Sequence, residues 1–120
     1  MSNRSDQDAP FWALAQPVLA RPGVTRSTMM GYPCLRLNGD FFASWDHLAQ
    51  QLVVKLDQES VAALIDTGHA MAFAPSDRPF RQWAAIPATK RRSWPKILDD
   101  AYHHARRRQP QPRPGRSGDR

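Results

Sequence analysis

Apolar and polar positions change period several times along this chain, and each change marks an element. Phe11, Trp12, Leu14, Ala15, Val18 and Leu19 recur at helical spacing after Asp8, which is placed to cap a short helix whose first turn tolerates Pro10. Pro17 interrupts the run, so a kink or break is expected near Gln16, and Arg21-Pro22-Gly23 closes the segment. From Thr28 the pattern becomes extended. Cys34-Leu35-Arg36-Leu37 leads into Asn38-Gly39, and Asp40-Phe41-Phe42-Ala43-Ser44 follows. Asn-Gly between two such runs predicts a β-hairpin, because a type I′ turn needs positive φ at both central residues.

Gln51–Leu56 reads as a third strand with β-branched residues at its centre. A second helix follows, with Asp57 at its N-cap, Val61, Leu64 and Ile65 on one face, and Gly68 at C′. Ala70–Ala74 and Arg81–Ile86 are two further strands, joined by the turn-rich Pro75-Ser76-Asp77-Arg78-Pro79 and ended by Pro87. Ser93 is the N-cap candidate of a last helix that tolerates Pro95 and carries Ile97, Leu98, Ala101, Tyr102 and Ala105 as one apolar stripe. Asp99-Asp100 near its start and Arg106-Arg107-Arg108 at its end suit the helix dipole. The expected fold is therefore α+β and two-layered, a five-stranded antiparallel sheet with its helices on one face, in the order α-β-β-β-α-β-β-α.

The run Met29-Met30-Gly31-Tyr32-Pro33-Cys34-Leu35-Arg36-Leu37-Asn38-Gly39-Asp40-Phe41-Phe42-Ala43 resembles the opening of the TfoX/Sxy N-terminal domain. That family's pattern is a Met-Phe-Gly-like turn, a strand, an Asn/Asp-Gly hairpin and then Met/Phe-Phe-Ala. The resemblance continues through Lys55-Leu56, Gly68, Phe73, Arg78-Pro79-Phe80 and the closing helix, and covers roughly residues 8–106. Met30 stands where the family prefers Phe, and Asp77 where it usually has Gly. The resemblance implies a YjbR-like or secretion-chaperone-like fold and a bacterial regulatory setting of the competence type, with DNA binding and transcription regulation attached to the family name. A role carried by the family's two domains does not transfer whole to one.

Composition relocates the charge signal. The chain has 120 residues and a formal net charge of +6, enough length for one domain. Residues 106–120 hold six arginines against one aspartate, so +5 of the +6 lies there and the preceding 105 residues carry only +1. Residues 8–106 are expected to form the domain. Residues 107–120, rich in Arg and Pro with no apolar side chain, are expected to be a disordered tail. The first eight residues lack an apolar h-region, and no apolar run approaches the ~18 residues of a membrane span, so a soluble cytoplasmic protein without membrane contact is expected.

The single Cys34 excludes an intramolecular disulfide, and its strand context fits a buried small hydrophobe better than a nucleophile. His103 and His104 point about 100° apart on a helix, while His47 and His69 fall in turns, so no metal set emerges. No Walker, Gly-x-Ser-x-Gly or His-Glu-x-x-His motif is present. Neither a cofactor nor an enzyme is expected. Trp12, Trp45, Trp83, Trp94, Phe41, Phe42, Phe73 and Phe80 either fill the core or, beside Arg81 and Lys90–Arg92, stack on bases.

Two basic clusters are the candidate nucleic-acid residues: Lys90, Arg91 and Arg92 before a helix N-terminus, and Arg106, Arg107, Arg108, Arg113 and Arg116 at the end of the chain. The expected function is a non-enzymatic regulatory or adaptor module whose nucleic-acid contact is weak and electrostatic. The alternative is a protein-interaction module, or a homodimer, that uses its sheet face or edge without nucleic acid.

Overall fold

The computed structural model describes residues 4–73 and 80–109. Helix α1 (Arg4–Leu19) leads into strands β1 (Val24–Met29), β2 (Tyr32–Leu37), β3 (Asp40–Asp46) and β4 (Gln51–Lys55). Helix α2 (Gln58–Asp66), strands β5 (Met71–Ala72) and β6 (Trp83–Ile86), and helix α3 (Trp94–Arg108) complete the chain order. The strands form one six-stranded sheet in the order β1-β2-β3-β4-β6-β5, and every neighbouring pair is antiparallel.

The expected α+β class with an antiparallel sheet is present, but the strand count rises from five to six. The additional strand is β1. It pairs with β2 through a two-residue turn at Met30-Gly31, with φ of 54° and 85°. Asn38-Gly39 makes the second such turn, with φ of 49° and 91°, between the paired residues Leu37 and Asp40. Both are type I′ geometry, whose twist matches that of the flanking strands. At Gly23 the left-handed φ of 83° is joined by a close approach, since a Cβ there would sit 2.6 Å from Asn38 Oδ1.

Three further expectations need correction. Helix α1 starts before Asp8 and runs through both Pro10 and Pro17, so Asp8 lies inside it and is not its cap. Pro17 stands two residues from the helix end on the solvent side, where water can serve the carbonyl it leaves free. Ser93 does not cap α3 with its side chain, because its hydroxyl donates to the Lys90 carbonyl within a 3-10 segment, Ala88–Ser93, that runs straight into the helix. Strand β6 begins at Trp83 rather than Arg81, and β5 keeps only two of the residues assigned to it; Ala74 and the Pro75–Pro79 turn lie outside the described residues.

Other local readings hold. The Asp57 carboxylate accepts from the Ser60 backbone N–H at 3.0 Å and from its hydroxyl at 2.7 Å, which ties down the first turn of α2. Gly68 has φ of 80° just past the Thr67 C-cap. The apolar stripe of α3 is buried as spaced, through Ile97, Leu98, Ala101, Tyr102 and Ala105.

One face of the sheet carries the core. Leu35, Leu37, Phe42, Ala43, Trp45, Leu52, Val54, Ala84 and Ile86 cluster there with Phe11, Ala15 and Val18 of α1 and the stripe of α3. Trp45 sits at its centre, stacked on Phe11 at 5.9 Å and edge-on to Trp94 at 5.4 Å. Its indole N–H donates to the Gln7 carbonyl at 3.0 Å, so the one polar atom of the ring is satisfied while the rest excludes water. A β-bulge between Leu35 and Arg36 inserts Phe42 beside Ala43, and Phe42 reaches Tyr102 of α3. Arg21 pairs with Asp99 at 2.7 Å and lies on the Tyr102 ring, joining the α1–β1 turn to α3. None of the described helices is long and apolar enough to cross a membrane.

Candidate functional site: the open face of the sheet

Alternation along the strands sends a second set of residues to the face opposite the core. The pairings Ser27–Cys34, Cys34–Ser44, Ser44–Val53, Val53–Ala85 and Ala85–Met71 place six side chains in a single row across the whole sheet. None of these belongs to the core cluster beneath the helices. Cys34, Ser44, Val53 and Ala85 are nonetheless buried, at 0%, 7%, 3% and 4% exposure.

On one side of the row Arg36 lies over the Phe41 ring at 4.3 Å, and Lys55 pairs in register with Trp83. Trp83 continues into Phe73 and Phe80, with Met71 and Phe80 each 48% exposed. On the other side Tyr32 packs against His47 at 4.9 Å, and the Asp46 carboxylate accepts from the N–H groups of Leu48 and Ala49. The result is a floor of small side chains between an aromatic, cationic bank and a polar one. Asp46 is engaged in its own turn. The Arg36 Nε, by contrast, is buried without a hydrogen-bond partner among the described residues.

Cys34 lies in the floor as a free thiol. Burial pushes its pKa up, and the Ser27 hydroxyl and the Arg36 guanidinium pull the other way less strongly. A thiol held protonated is a poor nucleophile, so Cys34 acts as a small packing group.

The basic residues named from the sequence do not converge. Lys90, Arg91 and Arg92 lie exposed in the 3-10 segment, where Arg91 folds back to donate to the Ala88 carbonyl at 3.1 Å. The Trp94 N–H at the start of α3 is already bonded to the Arg91 carbonyl, which removes one donor from the anion site expected there. At the other end of α3, Arg106 and Arg107 are exposed, but Arg108 clamps Asp40 at 2.6 Å and Gln109 donates to the Leu37 carbonyl. At 1.5 Å rise per residue the two clusters are roughly 20 Å apart along the helix. Arg113 and Arg116 lie outside the described residues.

The aromatic set divides cleanly. Phe42, Trp45 and Trp94 are core, Trp12 packs against it beneath Arg26, and Phe41, Phe73, Phe80 and Trp83 belong to the open side. Among the described residues no three His, Cys, Asp or Glu side chains are grouped to hold a metal ion. His69 meets Thr67, and His103 sits 3.4 Å from Asp99. A cleft of about 620 Å³ between α2 and α3 is floored by Leu56, Leu64 and Ile97. Of its rim charges, Lys96 pairs with Asp100 and Asp57 accepts from Ser60, while Arg107 is exposed. The open sheet face is therefore the stronger candidate.

Neither a family model, nor a curated protein, nor a solved structure matches this chain.

Proposed function

We propose that the protein is a non-catalytic adaptor or regulatory module whose working surface is the open face of its sheet, and that this face takes an extended protein segment carrying apolar side chains and an acidic group. The observation that carries the reading is the row from Ser27 to Met71, flanked by Arg36 on Phe41 and by Trp83. Met71 and Phe80, each 48% exposed, carry this surface out into solvent, and exposed apolar side chains grouped in this way mark a partner site. The small floor admits side chains, and the Arg36 guanidinium beside it, on the Phe41 ring, favours a carboxylate. The resemblance of residues 29–43 to TfoX-type domains supports a regulatory setting.

A second reading is supported by the exposure of Arg106 and Arg107 beside the arginines that follow them: sequence-independent contact with nucleic acid, with a log–log salt slope of about −0.9 per phosphate engaged. One set of proteins separates the two. The full chain, a chain ending at Gln109, and Val53→Arg are compared for DNA binding across salt and for proteins recovered from native lysate. The adaptor reading expects a recovered partner that survives truncation, is lost with Val53→Arg, and is competed by Glu-containing apolar peptides. Partners indifferent to Val53→Arg, with DNA binding abolished by truncation, would establish the second reading instead.

A further inference from the structure

The two edges of the sheet are built differently. Strand β5 ends it with two residues, whereas β1 ends it with six, Val24-Thr25-Arg26-Ser27-Thr28-Met29. Short edges, prolines and lysines are the usual protections against pairing with another chain. Strand β1 has none of them. Its one charged side chain, Arg26, is drawn onto the Trp12 ring at 4.7 Å, beneath the helix-covered face.

The hydrogen-bond phase of the edge follows from the turn beside it. The Asn38 N–H donates to the Gly23 carbonyl at 2.9 Å, which makes those two residues a bonded pair. Antiparallel alternation then makes Thr25–Arg36, Ser27–Cys34 and Met29–Tyr32 the bonded pairs of β1 and β2. Val24, Arg26 and Thr28 consequently direct their backbone groups away from the sheet. The Val24 N–H, turned to the Arg21 carbonyl, agrees with this phase. Arg26 and Thr28 find no backbone partner among the described residues.

We infer that β1 is a homodimerisation edge, on which a second copy of this chain adds its own β1 antiparallel about a two-fold axis at Ser27. In that register Arg26 of each copy forms a bonded pair with Thr28 of the other, exchanging both N–H···O bonds. Of the two neighbouring registers, an axis at Arg26 sets Arg26 against Arg26, two like charges directly opposed, and an axis at Thr28 sets Arg26 against Met30, which lies in the turn and outside the strand. The Ser27-centred register also brings the two Ser27 residues together as the non-bonded pair. It thereby joins the Ser27–Cys34–Ser44–Val53–Ala85–Met71 rows of both copies into one continuous floor. A two-fold interface of this kind is self-complementary. It goes beyond the adaptor reading: it stands if the open face takes another ligand, and the adaptor reading stands if the chain is a monomer.

A single strand pair is a small interface of the transient class, so sedimentation equilibrium of the full chain between about 1 and 500 µM is the first measurement. A monomer–dimer equilibrium is expected within that range. Thr28→Lys faces Arg26 of the other copy twice per dimer and should weaken association roughly five-fold or more, whereas Thr28→Glu should tighten it by a similar factor. In a Cys34→Ala background, Ser27→Cys should give a disulfide-linked dimer on mild oxidation, since non-bonded antiparallel partners have Cα atoms about 4.5 Å apart. Monomer throughout the range, or a dimer whose strength ignores the sign of the charge at 28 and that fails to cross-link through Ser27→Cys, would overturn the inference. Circular dichroism of each variant confirms that the protomer fold is intact.

Discussion

Val53 and Val54 are adjacent in β4 and almost equally shielded from water, at 3% and 0% exposure, yet they belong to different surfaces. Val54 packs in the core with Trp45, Leu98 and Ala101, whereas Val53 lies in the open row between Ser44 and Ala85. Fractional burial therefore does not distinguish the two faces of the sheet. What distinguishes them is the cover. Val54 belongs to the cluster that the helices close over, and Val53 does not.

The largest effect expected from breaking the covered side is at Trp45. Trp45→Ala removes the contacts with Phe11 and Trp94 and the bond to Gln7, and should cost about 3–5 kcal/mol in urea unfolding. Against a total of roughly 5–15 kcal/mol for a domain, that leaves a marginal fold.

The adjacent valines sharpen the contrast directly. Val54→Ala should cost about 2 kcal/mol, and Val53→Ala about 1 kcal/mol or less, because side chains can relax into an open row more easily than into a roofed core. Equal losses in paired unfolding curves would contradict the division into a covered and an open face.

Arg108→Met tests how the end of α3 is held to the β2–β3 hairpin. The pair with Asp40 is partly exposed, at 21% and 35% of the two side chains, so its loss should cost no more than about 1 kcal/mol. Loss of the Arg108 charge also bears on His104. That imidazole is held below the ordinary 6.5, first by burial and then by Arg108, with Asp57 opposing.

The smallest effect is the pH dependence through His104. Its Nε2 is buried without a hydrogen-bond partner among the described residues, and the folded protein binds the proton less readily than the unfolded chain. The stability that this imbalance contributes is complete above 6.5, declines as pH falls through 6.5, and levels off below the lowered folded value. His104→Gln should flatten that part of the stability–pH curve. Asp57, held below 3.8 chiefly by the Ser60 hydroxyl, loses its contribution only as pH falls below 3.8.

Local chemistry was legible wherever one residue type forces one geometry. Asn38-Gly39 announced its hairpin because both residues accept positive φ, and Asp57 and Gly68 bounded α2 as caps. The Met30-Gly31 turn was not legible, since methionine is no signal for the φ of 54° it adopts. With that turn β1 was missed. An edge strand that buries only Val24 shows no apolar alternation to read. Helix α1 was cut short for the opposite reason, a real breaker at Pro17 that the last turn of a solvent-facing helix tolerates.

The candidate site was legible only in fragments. The aromatic residues were visible, but nothing local separates Trp45 from Trp83 or Val54 from Val53. By itself the sequence determined the kinds and order of nearly all the elements, the hairpin at Asn38-Gly39, the capped α2 and the buried stripe of α3, because backbone propensities and periodicity act within a few residues. Only the tertiary structure decided which sheet face the helices cover, that residues from six strands align in one row, and that the basic clusters stand at opposite ends of α3. Alternation along a strand makes two faces, but register between strands distant in sequence, and the packing of helices on one side, determine what each face becomes.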